Sequence, residues 1–130
     1  MINEYLNHPY RILRGEEAAK MLGKCPPNLY SIRSFPKKVR LASNVSGWKL
    51  AEVLAYLARK QGTVYTEPEA RREGIVYITD LVILFGLTLW ETKLFVTRPE
   101  FPKKVATPEG VDGWKLAEVL AFIDRIQEAS

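Results

Sequence analysis

Three cations, Lys37, Lys38 and Arg40, follow a polar segment carrying Asn28, Tyr30, Ser31 and Arg33, and Asn44 lies just beyond them. Side chains of these types serve two purposes: Lys and Arg neutralise phosphates, while Asn, Ser, Tyr and Arg on an exposed helix reach the donor and acceptor edges of bases. A charge run is commonly no more than a solvated face. Here its position after a hydrogen-bonding segment points to a polyanion. Covalent chemistry finds no comparable set. The single cysteine, Cys25, stands beside Pro26-Pro27, and the single histidine, His8, is distant in sequence, so no nucleophile and general base are paired at readable spacing. The sequence offers no paired carboxylates, metal-ligand cluster or phosphate-cradling glycine loop. It therefore reads as a non-enzyme without catalytic residues, cofactor or metal.

The elements that must position these residues are written twice. Phe35-Pro36-Lys37-Lys38-Val39 recurs as Phe101-Pro102-Lys103-Lys104-Val105, and the nine residues from Gly47-Trp48-Lys49 to Ala55 recur as Gly113-Trp114-Lys115 to Ala121, each at an offset of 66. Two words repeated at one separation indicate tandem duplication of a small unit. In a chain of 130 residues each unit has about 60, near the lower limit for independent folding, so each half is expected to lean on the other. Residues 1–66 hold 11 Lys and Arg against 4 Asp and Glu, a balance of +7, while residues 67–130 hold 8 against 11, a balance of −3. The basic half invites a polyanion and the acidic half does not. No apolar run reaches the ~20 residues of a membrane span, the Met1-Ile2-Asn3-Glu4 start does not read as a signal peptide, and one cysteine suits a reducing compartment.

The order of elements follows from local pattern. Residues 1–10 read as an N-terminal arm with a solvated His8. Glu16 to Gly23 forms a helix with an inward stripe of Ala18, Met21 and Leu22, Cys25 lies in the following turn, and Pro26-Pro27 opens a second helix with Leu29 and Ile32 inward. Alternation over Lys38-Val39-Arg40-Leu41 and the return through Val45 to Trp48 form a β-hairpin, followed by an amphipathic helix over Leu50 to Gln61. Residues 63–74 are a linker, and the stretch from Gly62 to Gly74 can extend to roughly 45 Å. In the second unit Thr79 is placed to cap a helix over Asp80 to Phe85, and Thr88 to cap another over Leu89 to Val96 that turns Trp90, Glu91, Lys93 and Leu94 outward. From Gly86 to Phe101 is 15 residues, against 12 from Gly23 to Phe35. The last helix repeats the stripe as Leu116, Val119, Leu120 and Ile123, and Phe35, Trp48, Phe101 and Trp114 are expected in the core. The fold class is α+β, mainly α with small β-wings: two tandem winged helix-turn-helix units over 11–62 and 75–130.

Each unit resembles the MerR-type winged helix domain of AlpA-like prophage regulators and phage excisionases. The first carries the resemblance in Ile12-Leu13-Arg14, Glu17-Ala18-Ala19 before Leu22-Gly23, Phe35-Pro36 with a following basic residue and Val39, and Gly47-Trp48 with Glu52-Val53 beyond. The second carries it in Thr79, Asp80-Leu81-Val82, Phe85-Gly86, Phe101-Pro102, Val105 and Gly113-Trp114. The resemblance implies a regulator of a phage or mobile element, cytoplasmic and nucleoid-associated in a bacterial or phage-infected cell, acting in transcription or in excision control.

The expectation is a sequence-specific double-stranded DNA binder. Asn28, Tyr30, Ser31 and Arg33 would approach base edges, and Lys37, Lys38, Arg40 and Asn44 phosphates or the minor groove. If both units touch DNA, direct half-sites suit a tandem chain better than a palindrome. Trp90, Glu91, Lys93, Leu94, Lys103 and Lys104 are the second unit's contact or docking residues, with a protein as the expected partner. The competing class is a protein-interaction adaptor built on the same scaffold.

Overall fold

The computed structural model describes residues 4–23, 35–42 and 45–127. Its elements in chain order are a 3-10 helix over Glu4–Asn7, β1 (Ile12–Arg14), α1 (Gly15–Leu22), β2 (Val39–Ala42), β3 (Val45–Lys49), α2 (Leu50–Gln61), β4 (Ile75–Tyr77), α3 (Ile78–Phe85), α4 (Leu89–Phe95), β5 (Gly113–Lys115) and α5 (Leu116–Ile126). The architecture is mixed α and β, with a three-stranded antiparallel sheet in the order β1-β3-β2 and a two-stranded one, β4-β5. The second helix expected in the first unit, from Pro26 onward, lies outside the described residues.

The repeated Gly-Trp word sets the register of both sheets. Ile12, Leu13 and Arg14 face Lys49, Trp48 and Gly47, while Ile75, Val76 and Tyr77 face Lys115, Trp114 and Gly113. One partner strand is displaced by 63 residues and the other by 66, so the three extra residues of the second unit fall between them, before Phe101. A Cβ on Gly47 would meet Ile12 Cγ2 and the Leu13 carbonyl oxygen at 2.5 Å, and one on Gly113 would meet Ile75 Cγ2 at 2.7 Å. Glycine is needed because the neighbouring strand passes where a side chain would stand.

The tryptophan beside each glycine turns into an aromatic trio. Phe35 packs edge-on against Trp48 at 5.2 Å and Tyr56 at 5.1 Å, while Phe101 packs against Trp114 at 6.2 Å and Phe122 at 5.2 Å. These offset and edge-on arrangements are the ones ring quadrupoles favour. In the second unit Phe85 and Phe95 enlarge the trio. The first helix of each unit stops at a glycine in the left-handed region, Gly23 at φ 66° and Gly86 at φ 65°, a backbone conformation costly for any residue with a Cβ.

The two units share a core. Leu13 and Trp48 face their own helices, but Ile12, Val39 and Leu41, on the opposite face of the first sheet, join one apolar cluster with Val76, Phe85, Leu120 and Ile123. Helix α5 thus covers a sheet belonging to the other half. Polar contacts seal the joint. Asp124 accepts from Lys49 Nζ at 2.5 Å and from the Tyr10 hydroxyl at 2.9 Å, and the Lys49 ammonium lies 4.3 Å from the Tyr10 ring centre. Gln127 Nε2 donates to the Lys37 carbonyl at 3.1 Å and to Glu52 at 2.7 Å, and Arg98 donates to the Leu41 carbonyl.

Several local expectations need correction. His8 is buried: its Nε2 donates to the Arg71 carbonyl at 2.8 Å and its Nδ1 accepts the Tyr10 N–H at 3.1 Å. The arm is therefore docked, with Tyr5 in the shared core and Glu4 paired to Arg71 at 3.2 Å. Met21 is 42% exposed, and Ala19 takes the inward place beside Ala18. Thr79 does not cap α3; the helix begins at Ile78, and Asp80 accepts the Tyr77 N–H at 3.0 Å. Among the described residues, the second unit shows the isolated bridge Val105 to Gly113 in place of the β2-β3 hairpin.

Candidate nucleic-acid interface

The β2-β3 hairpin presents the basic residues. Its alternation buries Val39 and Leu41 against the shared core and leaves Arg40 exposed on the opposite side, beside an exposed Lys37 and a half-buried Lys38. Arg40 pairs across to Ser46, and the register slips between Arg40 and Ala42. Gln127 holds the Lys37 carbonyl from the other unit, so the base of the hairpin is fixed from two sides. Asn28, Tyr30, Ser31, Arg33 and Asn44 lie outside the described residues. Within them, then, Lys37, Lys38 and Arg40 come together on one short stretch.

Lys49 belongs to the same basic half but not to this surface. It is 8% exposed and serves as an internal tie to Asp124, whereas its counterpart Lys115 is solvent-exposed. Arg11 is likewise engaged, with Glu17 at 2.6 Å.

In the second unit, helix α4 is built by a reciprocal cap. Thr88 Oγ1 accepts the Glu91 N–H at 3.1 Å and Glu91 accepts the Thr88 N–H at 3.0 Å. The Thr88 backbone bond is the chief reason the Glu91 carboxyl titrates below the usual glutamate range, with Thr88 Oγ1 and Arg14 adding to the effect. Glu91 is thus a capping residue first. Trp90 and Leu94, one turn apart, are 69% and 54% exposed, with Leu89 beside them at 48%. Lys93 is exposed on the same helix. It lines, with Lys103 and Lys104, a groove of about 810 Å³ that also touches Val96, Pro102, Val111 and Trp114. Lys104 pairs with Asp112 at 3.4 Å. Tyr77 also lines the groove, and its hydroxyl donates to Glu109 at 2.9 Å, a bond that raises the Tyr77 pKa above its ordinary value.

Sequence reasoning identified the lysines but not the groove, nor Arg98 and Val96 in its wall. Among the described residues, no cluster of three His, Cys, Asp or Glu side chains is placed to hold a metal ion, and no helix is long and apolar enough to cross a membrane. No family model, curated protein or solved structure matches the chain.

Proposed function

We propose that the protein is a tandem winged helix-turn-helix regulator that binds duplex DNA through its first unit, with the β2-β3 hairpin as the wing. The supporting observation is the hairpin itself: Arg40 stands on the outer side of a strand whose other face, Val39 and Leu41, is clamped into the core, and an exposed Lys37 lies two residues before that strand. A rigid strand with a cation on its outer face and two more just before it reaches phosphates without first ordering the chain. Asn28, Tyr30, Ser31 and Arg33 are assigned to base edges, and Lys37, Lys38, Arg40 and Asn44 to phosphates or the minor groove. No catalytic step is assigned. With the units packed together, the spacing of any direct half-sites follows from their joint rather than from the reach of the 63–74 segment.

Selection of duplexes from a random pool by the intact chain tests this reading. An enriched sequence is expected, its preference relaxed by Arg33→Ala and its affinity lowered for all duplexes alike by Lys38→Glu. No enrichment, together with binding indifferent to Lys38→Glu, would refute it.

The adaptor reading is favoured by one observation, the exposed Trp90 and Leu94 on a helix flanked by Glu91, since large aromatic side chains of this kind anchor protein interfaces. The two readings combine if the first unit holds DNA and the second docks a protein. Complete absence of binding to mixed-sequence DNA at low salt would leave the adaptor alone.

A further inference from the structure

The stretch between Gly86 and Phe101 is three residues longer than its counterpart in the first unit. Within it Arg98 donates to the Leu41 carbonyl of the other unit, and Lys93, Val96, Arg98 and Phe101 line a groove of about 810 Å³. That volume lies within the range of roughly 300–1,000 Å³ typical of small-molecule sites. Its wall is mostly apolar, with Val96, Pro102, Val111 and the rings of Phe101 and Trp114.

The charges around it are unevenly satisfied. Arg98 is held by Glu100 at 2.9 Å and by the Leu41 carbonyl, and Lys104 pairs with Asp112. Lys93 and Lys103 form no ion pair or hydrogen bond with any described residue. Two unpaired ammonium groups beside an apolar wall favour an anion carried on an apolar body. The wall rewards burial of hydrocarbon or ring, and the two exposed lysines add a solvent-screened attraction for the charge. A small hydrated anion gains nothing from the wall, and a neutral apolar molecule gains nothing from the lysines.

We propose that this groove binds an apolar carboxylic acid of small-molecule size, aromatic or branched aliphatic, with its carboxylate directed to Lys93 and Lys103. The site is separate from the hairpin assigned to DNA, and it does not depend on that assignment. Because Arg98 joins the groove wall to β2, a bound acid would lie one hydrogen bond away from the hairpin.

The test is a titration of the intact, isotope-labelled chain, followed by amide shifts. The probes are 2-naphthoate, indole-3-acetate and 4-methylpentanoate, with 2-naphthamide as the neutral control. At least one acid should give saturable shifts centred on Val96, Lys103 and Val111, with the amide binding about tenfold more weakly. The Lys93→Glu, Lys103→Glu double variant should lose about tenfold in affinity for that acid. Lys93→Gln and Lys103→Gln, which remove each charge without reversing it, should each lose about threefold. The proposal is overturned if none of the three acids shifts the groove, if the amide binds as well as its acid, or if all the lysine variants bind unchanged. Shifts at these residues produced by duplex DNA and by no carboxylate would also overturn it, in favour of phosphate binding.

Discussion

The same words do different work in the two halves. Phe-Pro-Lys-Lys-Val leads into a paired strand in the first unit and a single bridge in the second. Gly-Trp-Lys ends in a buried, ion-paired Lys49 in one and an exposed Lys115 in the other. The aromatic trio and strand register are kept in both. What changes is what lies against the outer face of each sheet: α5 covers the first unit's strands and locks its hairpin, while the second unit opens into a groove. The comparison teaches that the internal core of the repeated unit is the same in both halves, and that the halves differ in what packs against their sheets.

The largest effects should come from the paired phenylalanines. Phe101 touches four other rings in the shared core and Phe35 touches two in a smaller cluster. Phe101→Ala should cost about 4 kcal/mol and Phe35→Ala about 3 kcal/mol by chemical denaturation. The reverse order would mean that the second unit is not the centre of the core. Next come the glycines. A Cβ at position 47 meets rigid backbone, the Leu13 carbonyl at 2.5 Å, while one at 113 meets mainly the side-chain carbons of Ile75 and Thr107 at 2.7 and 2.8 Å. Gly47→Ala is therefore expected to cost about 3 kcal/mol and Gly113→Ala about half that; equal losses would show that the two strand pairs yield alike.

The joint is tested by Asp124→Asn, which weakens its bonds to Lys49 and Tyr10. Asp124 is half exposed, so a loss of about 1 kcal/mol is expected, and Lys115→Met, at the equivalent of Lys49, should change nothing measurable. The smallest effect concerns the cap on α4. Because the folded Glu91 carboxyl titrates below its ordinary range, it stabilises the helix above the unfolded pKa of about 4.3 and that contribution fades as pH falls through the lower folded value. Glu91→Gln should lower Tm at neutral pH and leave it unchanged once pH is well below that range. An equal loss at both pH values would remove the charged cap from the account.

Features internal to one unit were legible in the sequence. The alternation at Lys38 to Leu41, the stop at Gly23 and the Thr88 cap each depend on neighbours a few residues away, and the repeat itself announced the Phe and Trp positions. Features of the joint were not. His8 read as solvated because its partners, the Arg71 carbonyl and the Tyr10 amide, are backbone groups with no sequence signature, and one lies 63 positions away. Val39 and Leu41 read as inward, but nothing local said that inward meant the other unit. Met21 fitted the helical stripe, yet the neighbouring small Ala19 packs closer. Lys49 looked like one more cation of a basic half until Asp124 closed over it.

The claim that the halves have divided their labour is tested most directly by matched charge reversals in the intact chain. Separate fragments would expose Ile12, Val39 and Leu41, which the shared core buries. Affinity for a selected duplex is measured across salt concentration for Lys37→Glu with Arg40→Glu, and for Lys103→Glu with Lys104→Glu. The first pair should weaken binding severely and reduce the magnitude of the salt slope by about one for each phosphate no longer neutralised. The second pair should leave both affinity and slope nearly unchanged; losses of the same size from the two pairs, or from neither, would contradict the account.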